Sequence, residues 1–209
     1  MKKTKLIARI LLTLMLVSCF VCAASSCSRP PELSEIKGEI ETLIAESQNI
    51  NSILFGKGLD TDDRLESPFE NYKCVAFETG FFSVDDIKEA AEKVYTKEYL
   101  EPIYEVTFTG KYDSVAGSII RARYMDSEGY LLKHIPVADV AVDEKEEDPN
   151  NILGDETRTY DFSTIVITKP SRADYVTFEI MSSKKGKSEK LTLAIALTPD
   201  GWRLDYPTY

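Results

Sequence analysis

Histidine occurs once in the 209 residues, tryptophan once and cysteine four times, three of the cysteines falling before residue 28. A chain so poor in metal ligands and general bases has little from which to build a zinc site or a catalytic triad. Basic residues are scarce as well: 25 Lys and Arg stand against 35 Asp and Glu, a net charge of −10. Four of those cations, Lys2, Lys3, Lys5 and Arg9, lie in the first nine residues, so beyond residue 26 the balance is 21 to 35, a net charge of −14. Such a surface repels nucleic acid and anionic lipid headgroups, which argues against either as a partner. Long apolar runs are also lacking. The one present, residues 10–24, is about 15 residues long, short of the roughly 20 that a membrane-spanning helix needs. No repeat of solenoid period is visible.

What is present at the N-terminus is a basic segment followed by that apolar run, the n-region and h-region of an export signal. Small residues precede cysteine at two places near its end, as a lipoprotein peptidase requires. Ala24-Ser25-Ser26-Cys27 falls where the apolar character stops; Leu16-Val17-Ser18-Cys19 has the better residue three places before the cut but would leave Phe20-Val21-Cys22 as an apolar stub. We expect residues 1–26 to be a lipoprotein signal, Cys27 to be the acylated residue with Cys19 as the alternative, and residues 27–32 to tether the chain to the outer face of a cell membrane. Residues 33–209 then form one domain, since 43 % hydrophobic residues suffice for a single core.

Within that domain the hydrophobic period changes. Leu33, Ile36, Ile40, Leu43, Ile44, Ile50 and Leu54 recur at helical spacing, predicting a helix over 32–55 stopped by Gly56. Residues 72–77 read as a strand. Ser83-Val84-Asp85-Asp86 reads as an N-cap with an acidic first turn, with Val84, Ile87, Ala91 and Val94 forming one apolar face. A third helix is expected after Thr96, carrying Tyr99, Leu100, Ile103 and Tyr104. From Ser118 the period drops to two, predicting an antiparallel meander: 119–124 and 130–135 around a turn at 126–129, then 160–167 and 175–181, then Leu191 to Leu197, the turn Thr198-Pro199-Asp200-Gly201, and a last strand with Trp202 and Leu204 facing inward. Residues 138–158 interrupt it with eight acids, the pattern of a surface loop. Helices first and a meander afterwards give an α+β fold, with N-terminal helices packed on a curved antiparallel sheet.

Candidate chemistry is thin. His134 sits in a strand-like stretch with no nucleophile or orienting acid located beside it. Cys74 lies in apolar sequence and reads as a buried small hydrophobe. The segment from Asp60 to Glu66 fails the calcium-loop pattern, having Arg64 at the fifth position and Leu65 where glycine is needed. Gly56-Lys57-Gly58 lacks phosphate-loop spacing, and Lys184-Lys185-Gly186-Lys187 reads as a charged hairpin tip. The aromatics of the middle third, among them Tyr72, Phe77, Phe82, Tyr95 and Tyr104, are assigned mostly to the core. The strongest binding candidates are the loop acids Asp143, Glu144, Glu146, Glu147 and Asp148, suited to a basic protein surface. No metal or cofactor is expected.

The phrases Phe82-Ser83-Val84-Asp85-Asp86-Ile87-Lys88, Lys93-Val94-Tyr95-Thr96-Lys97-Glu98-Tyr99-Leu100 and Asp200-Gly201-Trp202-Arg203-Leu204-Asp205, with the order of elements, resemble exported bacterial proteins of NTF2-like (cystatin-like) cone fold, and the IseA family of cell-wall endopeptidase inhibitors. That resemblance implies a non-catalytic, membrane-anchored lipoprotein that binds a protein partner such as a cell-wall hydrolase. It carries no site residue across. Two other readings stay open: a small-molecule-binding or isomerase-like cone, which would need a carboxyl group in an apolar site, and a structural envelope protein.

Overall fold

The computed structural model describes residues 29–113, 118–135, 153 and 158–209. The first element is the long helix α1 (Leu33–Phe55). Its start is closed by Glu35, whose carboxylate accepts the Glu32 N–H at 2.7 Å, satisfying a donor that the first turn leaves free. Its end is closed by Gly56, whose N–H reaches the Asn51 and Ser52 carbonyls at 3.1 Å. Between them Ile36, Ile40, Leu43, Ile44, Ile50 and Leu54 are buried as their spacing predicts, each contributing about 1.5–3 kcal/mol. None of the described helices is long and apolar enough to cross a membrane.

Strand β1 (Tyr72–Cys74) and a 3₁₀ turn (Phe77–Thr79) lead to α2 (Val84–Glu92). Ser83 caps α2 as expected: its hydroxyl accepts the Asp86 N–H at 3.1 Å, and the Asp86 carboxylate accepts the Ser83 N–H at 2.9 Å. Thr96 caps α3 (Lys97–Tyr104) through the Tyr99 N–H at 3.2 Å. A π-helical turn (Glu105–Thr109) continues it to Gly110, and β2 (Lys111–Asp113) pairs with β3 (Ser118–Ile120) as a separate hairpin.

The rest is antiparallel sheet. Strands β4 (Tyr124–Ser127) and β5 (Tyr130–His134) join β1 in the order β1-β5-β4. Strands β6 (Thr159–Thr168), β7 (Tyr175–Lys184), β8 (Lys187–Thr198) and β9 (Gly201–Leu204) form a second sheet in sequence order. The α+β class is therefore observed, with two sheets instead of one continuous meander. The four-stranded sheet is open, with β6 at one edge and β9 at the other, where Leu204 bridges in parallel to the backbone of Val94 to Thr96. Val176, Phe178, Ile180, Leu193, Ile195 and Leu204 on its inner face join α1 in the main core.

Three expectations need correction. The strand expected at 72–77 ends at Cys74 and gives way to a 3₁₀ turn. The strand expected at 119–124 is divided: Ile119 pairs with Tyr112 in the small hairpin, while β4 begins at Tyr124 and takes in Asp126 and Ser127, leaving Glu128 and Gly129 to turn at positive φ. Trp202 lies on the inner side opposite Leu197, as the alternation requires, but is only half-buried. The inner face runs past its cover there, and Leu197 stays 49 % exposed.

Candidate protein-contact surface

The three-stranded sheet has two unlike faces. Leu131 and Lys133 of β5 point toward α1, and Tyr130, Leu132 and His134 point the other way, over a small cluster of Tyr72, Cys74 and Leu132. Past the edge of that cluster the chain presents a group of aromatic rings to solvent. Phe77 lies 6.3 Å from both Tyr130 and Phe82, ring to ring, with Phe77 52 % and Phe82 57 % exposed.

These rings are held on well-anchored backbone. Ala76 N–H donates to the Asp60 carbonyl at 2.9 Å, Gly80 N–H returns to the Phe77 carbonyl at 3.1 Å, and the Thr79 hydroxyl donates to the Ala76 carbonyl at 2.8 Å. Gly80 takes φ +76°, the left-handed conformation that glycine adopts at least cost. The Asp86 carboxylate also accepts the Phe82 N–H at 2.8 Å; that backbone bond, with those from Ser83, lowers the Asp86 pKa from its ordinary value. Asp126 of β4 accepts the Val84 N–H at 2.9 Å, tying the start of α2 to the sheet. Phe82 occupies the position from which an apolar residue commonly staples onto the first helical turn, and it stands exposed beside Phe77 instead. Around the rings lie the exposed carboxylates Glu78, Asp85 and Glu128, with Arg64 at 3.9 Å from Glu78 and Lys88 at 3.5 Å from Asp85.

An exposed aromatic group on fixed backbone, ringed by charge, is the anatomy of a protein-contact site. Sequence pattern assigns most of the middle-third aromatics, Phe77 and Phe82 among them, to the core and places Tyr130 only as the start of a strand. The available signal was Phe82 directly before a capping serine, two residues after a glycine. The loop acids singled out there, Asp143, Glu144, Glu146, Glu147 and Asp148, lie outside the described residues, as do Cys19 and Cys27.

Other candidates resolve into structure. The Cys74 thiol is buried, bonds weakly to the Glu66 carbonyl at 3.7 Å, and has its pKa raised by burial and then by Asp62. His134 is half-buried, its ring edge-on to Tyr72 at 5.2 Å. In the segment from Asp60 to Glu66, Arg64 grips the Asp62 carboxylate at 2.7 and 2.8 Å and holds its pKa down at about 2. No group of three or more possible metal ligands occurs among the described residues. Lys185 and Gly186 form the tight tip between β7 and β8, both at positive φ.

Two interior arrangements escaped the sequence reading. Arg123 is 2 % exposed and turns its guanidinium onto the end of α1, donating to the Ile53 carbonyl at 3.0 Å and to the Gly56 carbonyl. Beneath the sheet, the Tyr95 hydroxyl, Asn51 and Ser47 converge on Thr208 at 2.7–2.8 Å, and burial pushes the Tyr95 pKa up to about 12. A groove of about 700 Å³ lies between the α2–α3 link and the β8–β9 turn. Its cations are already held: Lys93 by Glu89 at 2.8 Å, Lys97 by Glu92 at 3.0 Å, and Arg203 by the Glu92 carbonyl at 2.8 Å.

No protein-family model matches the chain, and no curated protein is similar enough to count as a relative.

Proposed function

We propose that this chain is an exported lipoprotein, acylated at Cys27, with Cys19 as the alternative, whose domain binds a protein partner in the cell envelope and restrains it without chemistry of its own. The partner would be a cell-wall hydrolase of the kind that the IseA family inhibits. The Phe77–Phe82–Tyr130 group, with Phe77 and Phe82 exposed and Tyr130 half-buried beside them, carries this reading. Aromatic anchors of this type commonly supply most of an interface's energy, and the surrounding carboxylates suit a basic partner. The −14 net charge beyond residue 26 favours the same partner at longer range, with Asp143, Glu144, Glu146, Glu147 and Asp148 as further contacts. A distant NTF2-like ancestry is part of the proposal, on the strength of the helices-then-meander order and the Asp200-Gly201-Trp202 ending.

Cell-wall digestion by the envelope hydrolases, with and without the purified domain, tests it. The domain is expected to slow digestion, less so at high salt, because exposed charges are screened beyond roughly 8 Å at physiological ionic strength. The Phe77→Ser/Phe82→Ser variant is expected to fold normally and to lose the effect. If wild type and variant act alike, another surface makes the contact; if the domain itself turns over a substrate, the reading fails. The groove favours a second reading, that the domain binds a small molecule there. Binding of a cell-wall fragment that survives the Phe77/Phe82 replacements but not Leu197→Glu would support it.

A further inference from the structure

Pro30 lies against the turn between β6 and β7, where it lines a recess of about 550 Å³ with Ile167, Thr168, Pro170 and Ser171. This is the end of the four-stranded sheet beside the start of α1. The opposite end of α1, 23 residues or about 35 Å away at the rise of an α-helix, is bonded to the three-stranded sheet: Lys133 donates to the Lys57 and Leu59 carbonyls at 2.6 and 2.8 Å. The Phe77–Phe82–Tyr130 group belongs to that far end. Only Ser28 and Arg29 separate Cys27 from Pro30, and three steps of at most about 3.6 Å span about 11 Å. An acylated Cys27 would hold the β6–β7 turn within that distance of the lipid headgroups.

We propose that the β6–β7 turn, together with Pro30, is a membrane-contact surface that rests on the phospholipid headgroups around the acyl chains and stands the domain with its aromatic group turned away from the bilayer. The assignment rests on the lipoprotein reading above, with acylation at Cys27. The chemistry of this end fits the role. Lys169, Pro170 and Arg172 are exposed at the turn, and the three cations Arg29, Lys169 and Arg172 match the three acids Glu32, Glu35 and Asp174 in number, with Arg29 bonded to Glu32 and Glu35 at 2.9 and 3.1 Å and Arg172 to Asp174 at 3.0 Å. A domain of strongly acidic surface thus offers headgroups an end whose charges are balanced, while long basic side chains there can reach phosphate with their stems against apolar lipid. Upright placement also gives the aromatic group its reach, roughly the length of α1 above the headgroups, toward a partner working in the wall.

Single fluorescent labels at Lys169→Cys and at Glu78→Cys, both exposed positions, test this in the acylated full chain reconstituted into phosphatidylcholine vesicles that carry a headgroup-bound nitroxide lipid. Cleavage before Cys27 removes Cys19 and Cys22, and acylation occupies Cys27, so with Cys74 buried the introduced thiol is the site of labelling. The Lys169 label is expected to be quenched severalfold and the Glu78 label hardly at all. Equal quenching at the two positions, or the reverse order, overturns the orientation while leaving the lipoprotein reading in place. A mature N-terminus acylated at Cys19, or not acylated, removes the short leash and overturns the assignment at its premise; the mass of the N-terminal peptide separates that failure from the first.

Discussion

The two sheets meet α1 by opposite means. The four-stranded sheet contributes Val176, Phe178, Ile180, Leu193 and Ile195 to one apolar core with Ile36, Ile40, Leu43, Ile44 and Ile50 of the helix. The three-stranded sheet meets the end of the same helix with Arg123, Tyr124 and Lys133, whose donors take up the carbonyls of Ile53, Gly56, Lys57 and Leu59. A helix end must find acceptors or donors for its last turn, and cations there also complement the dipole. The apolar contact tolerates any side chains of suitable volume. The polar one depends on particular atoms in particular places, and it fixes how the aromatic group is held relative to the core.

Replacements on the two sides should separate these mechanisms. The largest effect is expected from Phe178→Ala, which empties a fully buried ring site and should cost about 3–5 kcal/mol in urea unfolding. Close behind comes Arg123→Met, which keeps the packed stem but takes the donor from the Gly56 carbonyl, while the Ile53 carbonyl keeps the Tyr124 hydroxyl; the cost should be about 1–3 kcal/mol. A loss under about 1 kcal/mol would mean that the polar contact is incidental to stability.

Gly58→Ala sharpens the comparison, because Gly58 has φ +74° and an added Cβ would lie 2.6 Å from the Tyr124 hydroxyl, 2.8 Å from the Arg123 guanidinium and 2.9 Å from the Lys133 side chain. Strain at such a backbone position costs about 1–3 kcal/mol. The loss should be non-additive with Arg123→Met, since the two changes act on one joint.

The smallest effect is expected on acidification. Asp62 is held by Arg64 with its pKa lowered to about 2, so its contribution is present above its unfolded value near 4 and fades as the pH falls through 2. The Arg64 side chain is 80 % exposed, so solvent screens the pair and it contributes little. Carboxyl chemical shifts should show Asp62 titrating at about 2, and a pKa near 4 would show that Arg64 does not hold it.

The unequal legibility of the two sheets follows from the same contrast. In β7, alternation of Val176, Phe178 and Ile180 with polar neighbours identifies the strand and its buried face, and short turns pair it with its sequence neighbours. In β1 the partner lies some 60 residues on, at Leu132 to His134, and three residues carry too little pattern to announce it. Arg123 was illegible for a related reason: an arginine is ordinarily a surface residue, and only the approach of the α1 terminus makes its burial favourable. Phe77 and Phe82 were misplaced because apolar character states what a side chain gains from burial, not whether anything covers it.

Local order was settled within the chain itself: α1 from its apolar spacing and Gly56, α2 from Ser83 and Asp86, α3 from Thr96, and the meander from β6 to β9 from its two-residue period. Each depends on contacts a few residues apart. The division into two sheets, the seating of Arg123 on the helix end, and the exposure of Phe77 and Phe82 beside Tyr130 were decided only by tertiary structure, because each is a balance between distant segments competing for the same acceptors and the same apolar surface.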